Sequence, residues 1–208
     1  MSGRLGGLSR GVRLALYTRA DGCDTCADTR AIVDEVATLS PHLEVEVHDL
    51  DAAGGGPGLD HAPLIVVLRR NGDYIEDLGV RLVGAPLDHE LTSLADAILT
   101  VGGAAADLGP DSLARLATLT RPVHIQVFST PTCVYCPRAV ALAHRLAVAS
   151  PLVSATAYSV IEFPDLIRRY RVTGVPKIVV DHGTAVAVEL LGAQPEAAMV
   201  DAVLHASS

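Results

Sequence analysis

Two cysteine pairs of the same spacing, Cys23/Cys26 and Cys133/Cys136, each stand where an apolar strand gives way to a helix. The clearer case is residues 123–140, VHIQVFSTPTCVYCPRAV; the other is RLALYTRADGCDTCADTRAIVDEV, beginning at Arg13. Cysteines at i and i+3 in one helical turn can close as a disulfide. A helix start exposes N–H groups and partial positive charge, which favour thiolate over thiol on the first cysteine. A strand feeding C-x-x-C at a helix start is a specific redox arrangement, and it demands an α/β architecture around it.

The rest of the chain repeats with the cysteines. In the first half, residues 13–18 alternate as a strand. A helix follows over 24–39, with Ile32, Val36 and Leu39 on one face, and then the alternating strand HLEVEVHDL at 42–50. Strand, helix, strand implies a parallel pair joined by a crossover. The Gly-rich stretch AAGGGPGLDH at 52–61 is too short and flexible for a stable helix. APLIVVL then makes a third strand. Asn71-Gly72 signals a hairpin into a fourth strand near 74–83, Gly84-Ala85-Pro86 breaks the chain, and a helix runs over 88–99. The second half opens with a short helix at 111–119 and repeats the order. It has a strand at 124–128, a helix to about 149, a strand at 154–161 and a helix at 164–170. Strands at 177–180 and 185–191 and a helix at 195–205 complete it. Pro63 stands 40 residues after Cys23, and Pro176 stands 43 after Cys133. Each proline opens an apolar strand, and each half closes through Gly-Ala, at Gly84-Ala85 and Gly192-Ala193. One unit has been duplicated. The expected domains are 1–106 with CDTC and 107–208 with CVYC, the boundary falling between Gly102 and Pro110.

Composition agrees with two domains of about 100 residues each. Half of the 208 residues are hydrophobic but only 3% are aromatic, so the cores must be aliphatic and Ala-rich. A formal net charge of −8 argues against a nucleic-acid binder. No apolar run approaches the roughly 18 residues of a spanning helix, so no membrane partner is expected. Arg4, Arg10 and Arg13 faintly resemble the start of a targeting signal, but Gly and Ser interrupt any apolar region. Residues 1–11 read as a disordered tail, and the protein as cytoplasmic. All four cysteines lie in the two pairs, which suits catalytic thiols in a reducing compartment rather than a disulfide scaffold.

A unit of β-α-β then β-β-α with C-x-x-C at its first helix resembles the thioredoxin fold. Two such units in one chain look like the protein disulfide oxidoreductases, a glutaredoxin-like family. The N-terminal domain of alkyl hydroperoxide reductase flavoproteins is also similar. The residues carrying the likeness are PTCVYCPRAV at 131–140, VTGVPKIVV at 172–180 and GVRLVGAPLDHE at 79–90. The last is the least generic, because redox chemistry alone does not demand it. The likeness covers roughly residues 12–206. It implies two tandem thioredoxin-fold units, each a four-stranded mixed sheet flanked by helices. It also implies that Pro63 and Pro176 are cis prolines, with Ala62 and Val175 offering their backbones to a substrate strand beside the sulfur.

Three departures from that family stand out. The helix before the first strand is largely missing. The Gly-rich segment replaces the second helix of the first unit. Typical thioredoxins carry an acid six residues before the first cysteine, where this chain has Tyr17 and Val127. Glu162 could substitute as a proton acceptor, although an acid there reads first as solvated or helix-starting.

The expected chemistry is thiol–disulfide exchange on protein disulfides, with CVYC as the main site and the chain acting as a cytosolic disulfide reductase. Cys133 is the nucleophile and Cys136 resolves the mixed disulfide. Arg138 is the nearest charge to that pair. Asp21, Asp24 and Asp28 surround the Cys23 pair, with Arg19 and Arg30 partly opposing. Carboxylates disfavour thiolate, so Cys133 should have the lower pKa and its pair should be the more oxidising. No nucleotide fingerprint appears, so the chain should need no cofactor of its own; a flavoprotein resembling thioredoxin reductase would supply electrons. Electron transfer to a peroxiredoxin is the alternative. Zinc or an iron–sulfur cluster on four thiolates is another, but 107 residues separate the pairs and each belongs to its own repeat. His48, His89 and His124 read as surface or capping residues. His61, two before Pro63, could approach Cys23.

Overall fold

The computed structural model describes residues 5–52, 60–103, 107–182 and 186–208. The first half holds β1 (Gly11–Thr18), α1 (Cys26–Ala37), β2 (Leu43–Asp49), β3 (Leu64–Asn71), β4 (Tyr74–Val83) and α2 (His89–Val101). α3 (Pro110–Leu116) leads into β5 (Val123–Ser129), α4 (Cys136–Ala149) and β6 (Val153–Ser159). A 3-10 turn (Val160–Glu162), α5 (Pro164–Arg169), β7 (Lys177–Asp181), β8 (Val186–Leu191) and α6 (Glu196–Ala206) follow. The order is the one the repeat predicts. Asn71-Gly72 does turn the β3–β4 hairpin, with Gly72 at φ +63, a conformation that costs glycine little. The Gly-rich residues 53–59 and the boundary residues 104–106 lie outside the described residues.

Within each half the first strand is central. β1 pairs in parallel with β2 and antiparallel with β3, and β5 does the same with β6 and β7. Each half is therefore a four-stranded mixed sheet. The two sheets are joined, because β4 pairs in parallel with β6 from Val80↔Ala155 to Val83↔Tyr158. The result is one sheet ordered β2-β1-β3-β4-β6-β5-β7-β8. Gly79 permits the junction. It sits at φ +76, and a Cβ there would lie 3.0 Å from Ser154 Cα and 3.0 Å from the Val153 carbonyl oxygen.

The strands alternate as half-buried strands should, and the two faces differ. Val12, Leu14 and Leu16 of β1 join one large aliphatic cluster with side chains of α1, α2, α4 and α6, so a single core spans both halves. Ala15 points to the opposite face, into a smaller cluster with Phe128, Tyr158, Phe163 and Leu166. Residues 5–11 correct the expected tail. Leu5 and Leu8 are buried in the large cluster, and Ser9 Oγ donates to the Gly102 carbonyl at 3.2 Å. Their three-residue spacing puts both leucines on one side of a turn. Gly102 leaves the space that Leu8 fills, since a Cβ there would lie 2.4 Å from Leu8 Cδ2.

Candidate redox site

Both cysteine pairs are closed disulfides with Cα atoms 5.5 Å apart, a separation ordinary for the bond. α1 opens on Cys26 and α4 on Cys136. The first cysteine of each pair therefore sits just ahead of the helix, half-buried, and the second is buried in its first turn. Pro137 follows Cys136 inside that first turn, where no backbone N–H is needed. Beside Cys133, Val134 and Tyr135 are 61% and 69% exposed, although both are large and apolar.

The peptides Ala62–Pro63 and Val175–Pro176 are both cis. Strand pairing places each at the cysteine end of its sheet: Tyr17 lies opposite Leu64, and Phe128 lies opposite Lys177. The two halves secure the prolines alike. Gly84 N donates to the Pro63 carbonyl at 2.9 Å, and Gly192 N donates to that of Pro176 at 2.8 Å. The repeated Gly-Ala is thus the brace of each proline loop.

A buried acid of the first half is bonded to the end of the strand that leads into the second pair. His89 N, at the start of α2, donates to the Pro131 carbonyl in the loop before Cys133 at 3.1 Å. The next residue, Glu90, is only 5% exposed and accepts from Ser129 Oγ at 2.5 Å. Burial pushes its carboxyl up to about 7, helped by the nearby Glu162 and Asp88, while Ser129 and Ser159 pull the other way. The family's usual position, six residues before the cysteine, could not reveal this acid. The signal was the motif GVRLVGAPLDHE, which ends on Glu90.

Residues 123–205 match the family model described as "Thioredoxin domain". The chain is 29% identical over 143 residues to an NADH dehydrogenase of Bacillus subtilis, covering 69% of this chain and 26% of that protein. It is 29% identical over 102 residues to an alkyl hydroperoxide reductase of Pseudomonas aeruginosa, covering 49% of this chain and 20% of the relative. The chain thus spans about a quarter of the length of these curated relatives. It superposes on a solved alkyl hydroperoxide reductase, AhpF, from Enterococcus faecalis with TM-score 0.84 and 25% identity, covering 97% of this chain and 94% of that one. A protein disulfide oxidoreductase from Aeropyrum pernix gives TM-score 0.85 at 24% identity, covering 99% and 90%. The chain has a tandem thioredoxin fold, with a closed C-x-x-C disulfide ahead of the first helix of each unit.

In this tandem thioredoxin-fold protein the sequence-predicted residues fall into two groups. Cys23 and Ala62 line one cleft of about 460 Å³, together with Arg19, Thr25, His61 and Glu162. His61 does reach the Cys23 cleft; its Nε2 lies 3.1 Å from Asp165 Oδ2, and its ring meets Phe163 edge-on. Strand pairing puts Val175 and Pro176 at the end of the second sheet from which the chain runs on to Cys133 and Cys136. Glu162 corrects the expectation of a solvated or helix-starting acid. It is half-buried and bonded to Thr25 and Ala85, because the β4–β6 junction brings the turn after β6 against the first half. His124 is also more than a surface residue: its Nε2 lies 2.9 Å from Thr156 Oγ1, and burial lowers its pKa. Among the described residues, no three His, Cys, Asp or Glu side chains are grouped to hold a metal, and no helix is long and apolar enough to cross a membrane.

Proposed function

We propose that this protein catalyses dithiol–disulfide exchange on protein substrates, with Cys133–Cys136 as the main site. The observation that carries this reading is the closed disulfide at the head of α4, with half-buried Cys133 beside exposed Val134 and Tyr135, and with buried Glu90 bonded to Ser129 at the end of the preceding strand. In the reducing direction Cys133 thiolate attacks a substrate disulfide. A mixed disulfide forms, and the released substrate thiolate takes a proton. Cys136 gives up its proton, attacks Cys133 Sγ and frees the second substrate thiol. Two electrons and two protons pass to the substrate, and the enzyme pair is left oxidised. Glu90, with proton affinity near neutrality, is the group we assign to receive the Cys136 proton. Val175 and Ala62 are assigned to hold the substrate backbone. The units are taken as 1–106 and 107–208, and the setting as cytoplasmic.

Electrons would come from a flavoprotein resembling thioredoxin reductase. The likeness to the alkyl hydroperoxide reductases favours a second reading, in which the chain passes its electrons to a peroxiredoxin. Insulin reduction with dithiothreitol tests the first. Cys133→Ser should abolish catalysis, and Cys136→Ser should trap substrate as a mixed disulfide on Cys133. Full activity in Cys133→Ser would refute CVYC as the main site. Coupled peroxide consumption with a peroxiredoxin, faster than insulin turnover, would favour the second reading.

A further inference from the structure

Three features of the N-terminal pair converge on one side chain of the opposite half. Glu162 ends the 3-10 turn after β6, and both its oxygens are engaged across the boundary. Oε1 accepts from the Ala85 amide at 2.8 Å, and Oε2 accepts from Thr25 Oγ1. Thr25 stands between the two cysteines of CDTC and immediately precedes α1. From that position a threonine hydroxyl ordinarily accepts from a first-turn amide. Here the side chain makes no such cap, and its proton goes to Glu162. Gly84 supplies the space: it lies at φ +97, and a Cβ there would come 2.7 Å from Glu162 Oε1 and 2.7 Å from Ser159 Cβ. Glu162 also lines the cleft that holds Cys23.

We propose that Glu162 is a positioning residue for the Cys23–Cys26 pair: it fixes Thr25 between the cysteines and keeps a carboxylate beside Cys23, holding that thiol less ionised than Cys133. This rests on the reading of Cys23–Cys26 as a redox pair. The other charged groups near Cys23 are Asp24, Asp60, Arg19 and His61, which line its cleft, and Asp21 and Asp28, which are close to it in the chain. The four aspartates are exposed and free to turn into water. Arg19 is bound to Asp51 at 2.9 Å, and His61 to Asp165 at 3.1 Å. Glu162 alone among these acids is half-buried and held by two bonds, so solvent and salt screen it least. The N-terminal site is therefore complete only when the two halves are docked.

The test uses the full-length chain with Cys133→Ser and Cys136→Ser, reduced, following alkylation of Cys23 by iodoacetamide against pH. Glu162→Gln should lower the apparent pKa of Cys23 by about half a unit and raise its alkylation at pH 7 about twofold. Glu162→Asp, which keeps the charge, should restore part of the shift. Thr25→Val leaves the Glu162–Ala85 bond in place and should move Cys23 in the same direction by less; it decides the matter should the Gln variant not fold. In the converse background, Cys23→Ser with Cys26→Ser, Glu162→Gln should shift Cys133 by less than half as much. An unchanged Cys23 profile in the folded variants, or an equal shift of Cys133, would overturn the proposal. Alkylation needs no turnover. A Cys23 that titrates as expected but never exchanges with insulin would refute the redox reading of that pair and leave the positioning role intact.

Discussion

Glu90 and His144 are both buried, and burial moves each toward its neutral form, with opposite consequences for stability. The folded carboxyl of Glu90 titrates at about 7, above its ordinary 4.5. Its favourable share of stability is complete below about 4.5 and is lost as pH rises through about 7. His144 sits at about 4 against an ordinary 6.5, because it is buried, with Nε2 3.3 Å from the Arg81 carbonyl and no partner for Nδ1 among the described residues. Its share is complete above 6.5 and is lost as pH falls through about 4. Between those limits the two offset each other. Glu90→Gln should therefore be more stable than the parent above pH 7, by up to about 3 kcal/mol, while the acid-side loss remains. Denaturant midpoints from pH 4 to 8 read this directly. The same variant should reduce insulin about tenfold more slowly and lose the inflection near pH 7. Superimposable pH–stability curves would remove Glu90 from both accounts. Neither residue was legible as a site. Glu90 was visible only as the end of an unexplained motif, and His144 is an ordinary helical position until its burial is known.

The helices that carry the cysteines were legible because their signals are local. Ile32, Val36 and Leu39 recur at helical spacing, and Pro137 marks a first turn. The structure opens α1 at Cys26, two residues after the expected start at 24, and α4 at Cys136. Both first cysteines still face a helix start, so the difference between the pairs lies in what surrounds it. Half-buried Glu162 lines the Cys23 cleft and exposed Asp28 stands in the first turn of α1, whereas α4 has no acid in its first turn. A carboxylate near a forming thiolate opposes it, and a stabilised thiolate favours the reduced dithiol. The CVYC pair should accordingly have the higher midpoint potential. Titration of the two double-serine variants against a dithiothreitol buffer tests this, and equal or reversed potentials would count against it.

The two units are continuous with one another. One sheet runs through the β4–β6 pairing, and one aliphatic core includes Leu14 of the first half and Val203 of the second. Hydrogen exchange of β1 and β5 amides should therefore report one cooperative unfolding rather than two. Gly79→Ala probes the junction. A methyl group there meets the Ser154 and Val153 backbone at 3.0 Å in a positive-φ conformation. The cost should be about 2 kcal/mol, lowering Tm by about 5 °C with both halves losing protection together. Loss confined to the first half would mean that the units fold independently. Duplication was readable from the paired Cys, Pro and Gly-Ala spacings. The seam was not, because β4 reads simply as a strand with one free edge.

Hydrophobic period and turn residues act over a pleat or a helical turn, so the residues alone were enough to set the strands, the helices, the hairpin at Gly72 and the duplicated cysteine loops. Only the tertiary structure decided that Leu5 and Leu8 are buried, that eight strands form one sheet, and that Glu90 and Glu162 are each bonded to the half they do not belong to. Those contacts join positions far apart in the chain. They exist because β4 lies against β6, a placement that no local periodicity encodes.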